Sequence, residues 1–422
     1  MEIRTSRDVR ARAGASGAYF VQGLCFAALL TQVPSLKDKF GFTEDALTLV
    51  LLAVPIVAGV GSLLAGALAP RVGSAAVLRV SGPLVCVAIT IVGWVDTRPG
   101  LYVAVAALGL VLGAVDASVN MQGVAVQSRY GRSLLASFHG WLGAGGFVGS
   151  LAMAAANSKR IDAPLGVALG AAGLVGVVVA LSVGPLLLRR SEEAAGAAVP
   201  GAVAEPVEPD ASALSGAAKP GVHVPWRPIL LIGLPVLAMY IADSATFNWS
   251  AVYLHDGLHG SKSIAALGVN AYVTFQVLGR TAADRLVRRF GPVPVVAIGG
   301  LIGTVGMAVV ATAPSPLVGV IGFAIVGGGL CVVVPQSFSA AGALDPTGSG
   351  VAIARVNLFN YIGFVVGAGL VGAVAKGASL RWAFAVPAVL ALLIVVLARA
   401  FGVSARAGKA QSVPAVRDIA AR

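Results

Sequence analysis

A rhythm of three in the placement of polar residues constrains this chain more than any motif in it. Twelve apolar stretches can be read, at 14–36, 46–69, 78–95, 100–127, 134–156, 165–188, 228–253, 263–287, 292–312, 315–340, 350–374 and 380–400. Each is long enough for a helix to cross a bilayer core of about 30 Å. Stretches one, four, seven and ten carry acids, amides or both, as do five, eight and eleven. Three, six, nine and twelve hold almost nothing but Ala, Val, Leu, Ile and Gly. An ionisable or amide side chain is costly in hydrocarbon, so such groups face a bundle interior or a watery cavity. The rhythm separates cavity-lining helices from lipid-facing ones and predicts an all-α membrane protein of twelve transmembrane helices.

Composition agrees. Charged residues make up 11% of the chain and hydrophobic ones 57%, where a soluble globular chain carries about a quarter charged residues. The net charge of +12 would suit a nucleic-acid binder, but its placement speaks for topology. Arg4, Arg7, Arg10 and Arg12, the loop bases Arg71, Arg79, Arg129, Arg132, Arg280, Arg285, Arg288 and Arg289, and the basic C-terminal tail fall on one side. The other side has Lys37, Lys39, Arg98, Lys159, Arg160, Lys262, Lys376 and Arg381. This bias predicts both termini in the cytoplasm and no nucleic-acid partner. Arg355 is read as the base within a stretch. Cys25, Cys86 and Cys331 lie inside stretches without disulfide or metal-ligand spacing, and are expected to pack as small apolar residues. The first stretch is too long for a signal-peptide core and reads as a retained helix. Arg-rich, Lys-poor composition heavy in Ala, Gly and Val fits a GC-rich bacterial source, hence an inner-membrane location.

Residues 189–226 break the pattern with Glu192, Glu193 and a run of Ala, Pro and Gly that has little to bury, so they read as a mobile cytoplasmic linker. The chain then divides into a six-helix bundle (1–188), the linker (189–226), a second six-helix bundle (227–402) and a cytoplasmic tail (403–422). The halves echo each other. Gly143, Gly145, Gly146 and Gly149 in stretch five correspond to Gly363, Gly367, Gly369 and Gly372 in stretch eleven, small residues at spacings that let helices approach closely. Both halves place a Gly-then-basic turn between their second and third helices: Gly66 to Gly73 with Arg71, and Gly279 to Gly291 with Arg280, Arg285, Arg288 and Arg289. Duplicated halves around a midplane site are the usual build of secondary transporters.

In these loops the chain resembles the major facilitator superfamily, whose signature runs roughly Gly-x-Leu-Ala-Asp-Arg-x-Gly-Arg-Arg. The second copy matches through Gly279, Asp284, Arg285, Arg289 and Gly291, while the first has Pro70 where the family carries an acid and Ser74 where it carries a base. The resemblance covers nearly the whole chain apart from the linker and tails. A narrower likeness is to the fucose-permease-like and rhizopine-related (MosC-like) bacterial branch, through Gly113-Ala-Val-Asp116-Ala-Ser-Val-Asn120, Ser137-Phe-His139-Gly140, Asn248-Trp249-Ser250 and Pro335-Gln336. Where that branch carries a glutamate, this chain has Gln127. The resemblance implies two pseudo-symmetric six-helix bundles and alternating access.

Three groups are candidates for proton coupling. Asp116 lies near mid-bilayer, four residues from Asn120 and so on one helix face with it. A carboxylate there can load a proton from one side and release it to the other; a permanently hydrogen-bonded structural acid is the alternative. Asp243, deep in stretch seven, has the same two readings. His139 either relays protons from Asp116 or is a satisfied histidine on a nearby carbonyl. Gln22, Asn120, Asn248, Asn270, Gln276, Gln336, Asn357 and Asn360 supply neutral donors and acceptors suited to a hydroxylated, uncharged or zwitterionic solute, and Trp141 is a further substrate candidate. Gly279, Asp284, Arg285, Arg289 and Arg355 are candidate gate residues, with Arg355 either snorkelling to headgroups or turning inward to an acid.

No nucleotide-binding Gly-Lys-Ser/Thr loop, no oriented nucleophile and no metal-ligand cluster is present in the sequence. An enzyme, a cofactor and a metal are not expected, and without an ATP site the driving force is an ion gradient, with the proton as the expected ion, or the solute gradient itself. The reading is a monomeric, proton-coupled carrier of a small sugar- or cyclitol-like solute. A proton-antiporting drug or metabolite exporter of the same fold is the first competitor; a membrane sensor or membrane-embedded enzyme is the second.

Overall fold

A computed structural model describes residues 5–158, 161–197, 224–345 and 348–402. In hydrocarbon a chain must satisfy its own backbone polar groups, and these residues do so as helices. The first half comprises α1 (Ser6–Thr31), the short α2 (Val33–Phe40), α3 (Glu44–Val72), α4 (Ser74–Trp94), α5 (Arg98–Tyr130), α6 (Leu135–Ala156) and α7 (Leu165–Val183). A short α8 (Arg190–Ala197) follows. The second half comprises α9 (Trp226–Val252), α10 (Lys262–Phe290), α11 (Pro292–Thr312), α12 (Pro316–Leu330), α13 (Val333–Ala343), α14 (Val351–Gly377) and α15 (Leu380–Leu397). Thr5, Thr97, Ser261 and Ser379 cap α1, α5, α10 and α15 through their hydroxyls, as short polar residues at that position do.

Ten of these helical segments are long and apolar enough to cross a membrane, with α12 and α13 counted as one. The more polar α6 and α10 complete twelve, and they pack against each other between the halves. Pairing repeats across the halves: α1 on α6, α3 on α5 and α4 on α7 in the first, α9 on α14, α10 on α12 and α11 on α15 in the second. Glycine sets the closest approaches. A Cβ on Gly145 would stand 2.0 Å from the carbonyl oxygen of Phe20 on α1, and one on Gly367 2.8 Å from Ile241 on α9. The Gly-then-basic turns are also equivalent. Gly73 (φ 88°, ψ 148°) and Gly291 (φ 83°, ψ 166°) each start the third helix of their half, in a region open to glycine and rare for other residues.

The outer helices α4, α7, α11 and α15 present Val80, Leu84, Leu174, Leu181, Ile298, Leu301, Val389 and Val396 outward, in keeping with their apolar composition. Several expected boundaries change. The first helix begins at Ser6 rather than 14, and the fourth runs to Tyr130. The tenth stretch is two helices, because Pro335 has no N–H for the carbonyl of Cys331 and its ring crowds that carbonyl. The linker also needs correction at its start, since 190–197 form a helix. Glu193 is 7% exposed, accepting from Gln122 Nε2 (2.7 Å) and Ser74 Oγ (3.0 Å). Arg7 pairs with Glu192 at 2.6 Å and donates to the carbonyls of Leu186 and Leu187. The rest of the expected linker, from 198 to 223, and the tail from 403 lie outside the described residues.

Candidate functional site

Gly113 brings the first helices of the site together. A Cβ there would stand 1.9 Å from the carbonyl oxygen of Ala58, so α3 and α5 touch backbone to backbone. One turn on, Asp116 leaves α5 towards the junction of the halves. Its Oδ1 accepts from Gln22 Nε2 on α1 (2.9 Å) and, more weakly, from Asn120 Nδ2 (3.4 Å). Its Oδ2 accepts from Asn357 Nδ2 (2.9 Å) and Tyr361 Oη (2.8 Å), both on α14 of the other half. Asn357 and Tyr361 are four apart and share a helix face. Asn357 also donates to the buried Ser62 of α3 (3.1 Å) and accepts from Asn360.

Every donor on Asp116 is a neutral amide or phenol. The ionised carboxylate uses all four; a protonated one would bring a hydrogen against groups that are themselves donors, and only the Tyr361 oxygen, or Gln22 after turning its amide, can accept it. The contact between the halves is therefore strongest when Asp116 is charged. Asn120 extends the network, accepting from Tyr19 Oη at 2.8 Å. The Tyr19 ring lies 5.2 Å from that of His139, which also stacks on Phe338 at 6.2 Å. His139 Nδ1 is 3.0 Å from the Leu135 carbonyl, the geometry of a satisfied histidine, and no hydrogen bond joins it to Asp116.

A second acid cluster belongs to the second half. Tyr272 Oη on α10 donates to Asp243 on α9, and Gln276 Nε2 donates to the Tyr272 oxygen (2.9 Å). Tyr240, one turn before Asp243 along α9, lies within electrostatic range of both acids. Tyr272, Gln276, Arg280 and Asp284 recur every four residues and form one stripe down α10. Arg280, placed by sequence with the loop bases, is instead 9% exposed within the helix. It lies within electrostatic range of Asp243 and of His139 in the other half.

Further along the stripe, Asp284 crosses between the halves. It accepts from Ser133 Oγ (2.6 Å) and from the backbone N–H groups of Ala136 (3.3 Å) and Ser137 (2.8 Å). The α6 N-cap position is Leu134, whose side chain caps nothing, so Asp284 caps that helix from the opposite bundle. Arg288 donates to the Ser133 carbonyl (3.1 Å), and Gln127 Nε2 to Ser339 Oγ (2.7 Å). In the first copy of the loop Pro70 cannot play this part; the start of α14 is served from its own half, where Asp345 accepts from Gly350 N at 2.9 Å. These inter-half bonds gather at the ends of the helices that carry Arg71, Arg129 and Arg288, here called the basic face.

The remaining candidates are scattered. Gln22, Asn120, Asn357 and Asn360 gather around Asp116, and Gln276 belongs to the Asp243 cluster. Gln336 is 2% exposed with its Nε2 unpartnered. Asn248 donates back to Ser244 within its own helix, Asn270 is exposed and Trp141 is 49% exposed. Gly279 is a packing residue, its face against Cys331. Arg285 is exposed and Arg289 lies over Phe290. Arg355 neither snorkels free nor turns to an acid: it donates to the Val224 carbonyl and covers the Trp226 ring at 4.6 Å, tethering the start of α9. Sequence reasoning missed Tyr19, Ser62 and Tyr361; a tyrosine four residues past Asn357 was the available signal for the last.

Residues 15–341, and again 233–417, match the Major Facilitator Superfamily. The chain belongs to the Major Facilitator Superfamily. It is similar to an uncharacterized MFS-type transporter of Yersinia pestis, 29% identical over 387 residues that cover 91% of this chain and 94% of the relative. It is also similar to the membrane protein MosC of Rhizobium meliloti, 24% identical over 364 residues covering 86% and 83%. Among solved structures, the fold matches the MFS transporter FucP in its outward conformation with a TM-score of 0.72 at 16% identity, covering 92% of this chain and 97% of that one. As a member of this family the chain is a multi-pass membrane transporter of small molecules.

Proposed function

We propose that this chain is a proton-coupled secondary transporter of a small, polar, hydroxylated solute, working by alternating access with its basic face in the cytoplasm. The observation that carries the reading is the Asp116 carboxylate, which takes donors from both bundles at once. When it is ionised, the halves are drawn together beside Ser62 and Asn357 and the basic face is closed. Protonation removes the charge that Asn357 and Tyr361 are bound to, and the bundles are freed to rock about the site. Asp284 on the α6 N-terminus and Gln127 on Ser339 close the same face by contacts that need no titration. The amides around Asp116 suit hydroxyl groups, and FucP, which shares the fold, is named a fucose:proton symporter. The opposite direction of coupling, export by antiport, uses the same acid.

Purified protein in liposomes tests this with a panel of labelled sugars, cyclitols and amines under an imposed pH gradient. The reading expects at least one solute to accumulate and a protonophore to abolish the accumulation. Solute flux that ignores the pH gradient for every compound carried would refute proton coupling.

A further inference from the structure

Arg280 is the one side chain on the α10 stripe with nothing to bind. Tyr272 has Asp243, Gln276 has Tyr272, and Asp284 has the start of α6. The Arg280 Nε is buried without a hydrogen-bond partner, and among the described residues no carboxylate stands within ion-pair distance of its guanidinium. A buried guanidinium with no hydrogen bond or ion pair is strongly unfavourable. Asp243 lies within electrostatic range of Arg280, but its carboxylate accepts from Tyr272 and makes no ion pair with the guanidinium.

We propose that Arg280 receives an anionic group of the transported solute, so that the cargo is a hydroxylated organic acid rather than a neutral sugar. This deepens the carrier reading above and rests on it. A guanidinium presents a planar fork that matches a carboxylate with two parallel hydrogen bonds. Other buried polar atoms without partners are Gln22 Oε1 and Asn360 Oδ1 in the Asp116 network, and Gln336 Nε2 on α13. Two acceptors and one donor of this kind suit hydroxyls on the body of the solute. Tyr240 links the two regions, lying within electrostatic range of Asp116, Asp243 and Arg280 alike. A competing role for Arg280 is as an internal counter-ion that closes onto Asp243 in another conformation.

Thermal unfolding of the full purified chain decides between these with pairs of probes that differ by one carboxylate: glucuronate against glucose, galacturonate against galactose, gluconate against sorbitol. The proposal expects at least one acid to stabilise the protein while its neutral partner does not. R280Q should weaken that acid roughly a hundredfold. R280K, which keeps the charge but not the fork, should weaken it less, and keeps the test open if R280Q does not fold. The double variant R280Q/D243N should not regain acid binding. The proposal is overturned if no acid in the panel stabilises the wild type, if binding is the same in R280Q, or if the double variant restores it. Liposome flux separates this from the carrier reading: a neutral sugar concentrated by the pH gradient in both wild type and R280Q sinks the anion site alone. Acid binding lost in R280Q together with gradient-independent flux sinks proton coupling alone.

Discussion

Replacing Asp116 by Asn should shift the protein towards an open basic face. The bonds that Asn357 and Tyr361 donate to the carboxylate are charge-assisted, worth about 1.5–3 kcal/mol each against about 0.5–1.5 kcal/mol for a neutral pair. The new side chain can keep its oxygen on these two donors, because Gln22 has an unpartnered Oε1 and can turn its amide to accept from the new NH2 group. The variant therefore folds, and loses about 1–1.5 kcal/mol per inter-half bond, or about 2–3 kcal/mol for the two. That is roughly a 30- to 140-fold shift in the equilibrium between closed and open basic faces. Spin labels on the exposed Ser128 of α5 and Ala282 of α10, in a background without native cysteines, report the separation by pulsed electron resonance. The wild type should show chiefly the short distance, and D116N should gain the longer one. Identical distance distributions for D116N and wild type would refute the reasoning.

Other outcomes follow from the same geometry. D284A removes the cap on α6, worth about 1–2 kcal/mol, and should lengthen the same label distance independently of pH; D284N should do so less. G113V sets a side chain against the Ala58 carbonyl at a separation of 1.9 Å for its Cβ, and should lower the yield of monodisperse protein on size-exclusion chromatography, whereas substitution at Gly369, whose surroundings are open, should not. The Arg7 guanidinium holds the Glu192 carboxyl down at about 2. A depressed carboxylate contributes stability above its ordinary value near 4.5 that is lost as pH falls through the folded value. Protection of the 190–197 amides, corrected for intrinsic exchange, should thus hold at neutral pH and fall as pH drops from about 4.5 to about 2. Burial raises the neighbouring Glu193, whose protonation works in the opposite direction.

Much of this architecture can be read from composition because hydrocarbon penalises polar groups wherever they fall. The apolar α4, α7, α11 and α15 are on the outside for that reason, and the polar α5, α9 and α14 meet within. The glycines of α6 and α14 mark close approaches because only an absent Cβ permits them. Which residue on a polar helix meets which partner depends on rotation about the helix axis, and periodicity fixes that poorly where a face mixes glycine, amide and aromatic residues. Arg280 shows the difference: its neighbours Arg285 and Arg288 are exposed at the helix end, while Arg280 turns inward one helical turn earlier. Asp284 reads as a loop acid, and its role becomes visible only when the uncapped Leu134 of the other half is beside it. Glu192 and Glu193 stand at the head of a low-complexity run, and nothing in that run announces their pairing with Arg7 and Gln122. Pro335 did carry a local signal, the break of the tenth span, that length alone conceals.

Solute movement by D116N in liposomes tests the central claim most directly. With solute on both sides and no gradient, the variant should still exchange labelled for unlabelled solute, since the amides around position 116 and the two halves persist. Under an inward proton gradient it should fail to concentrate that solute, because no proton can bind where the halves are joined. Concentrative, pH-dependent uptake by D116N equal to the wild type would contradict the account.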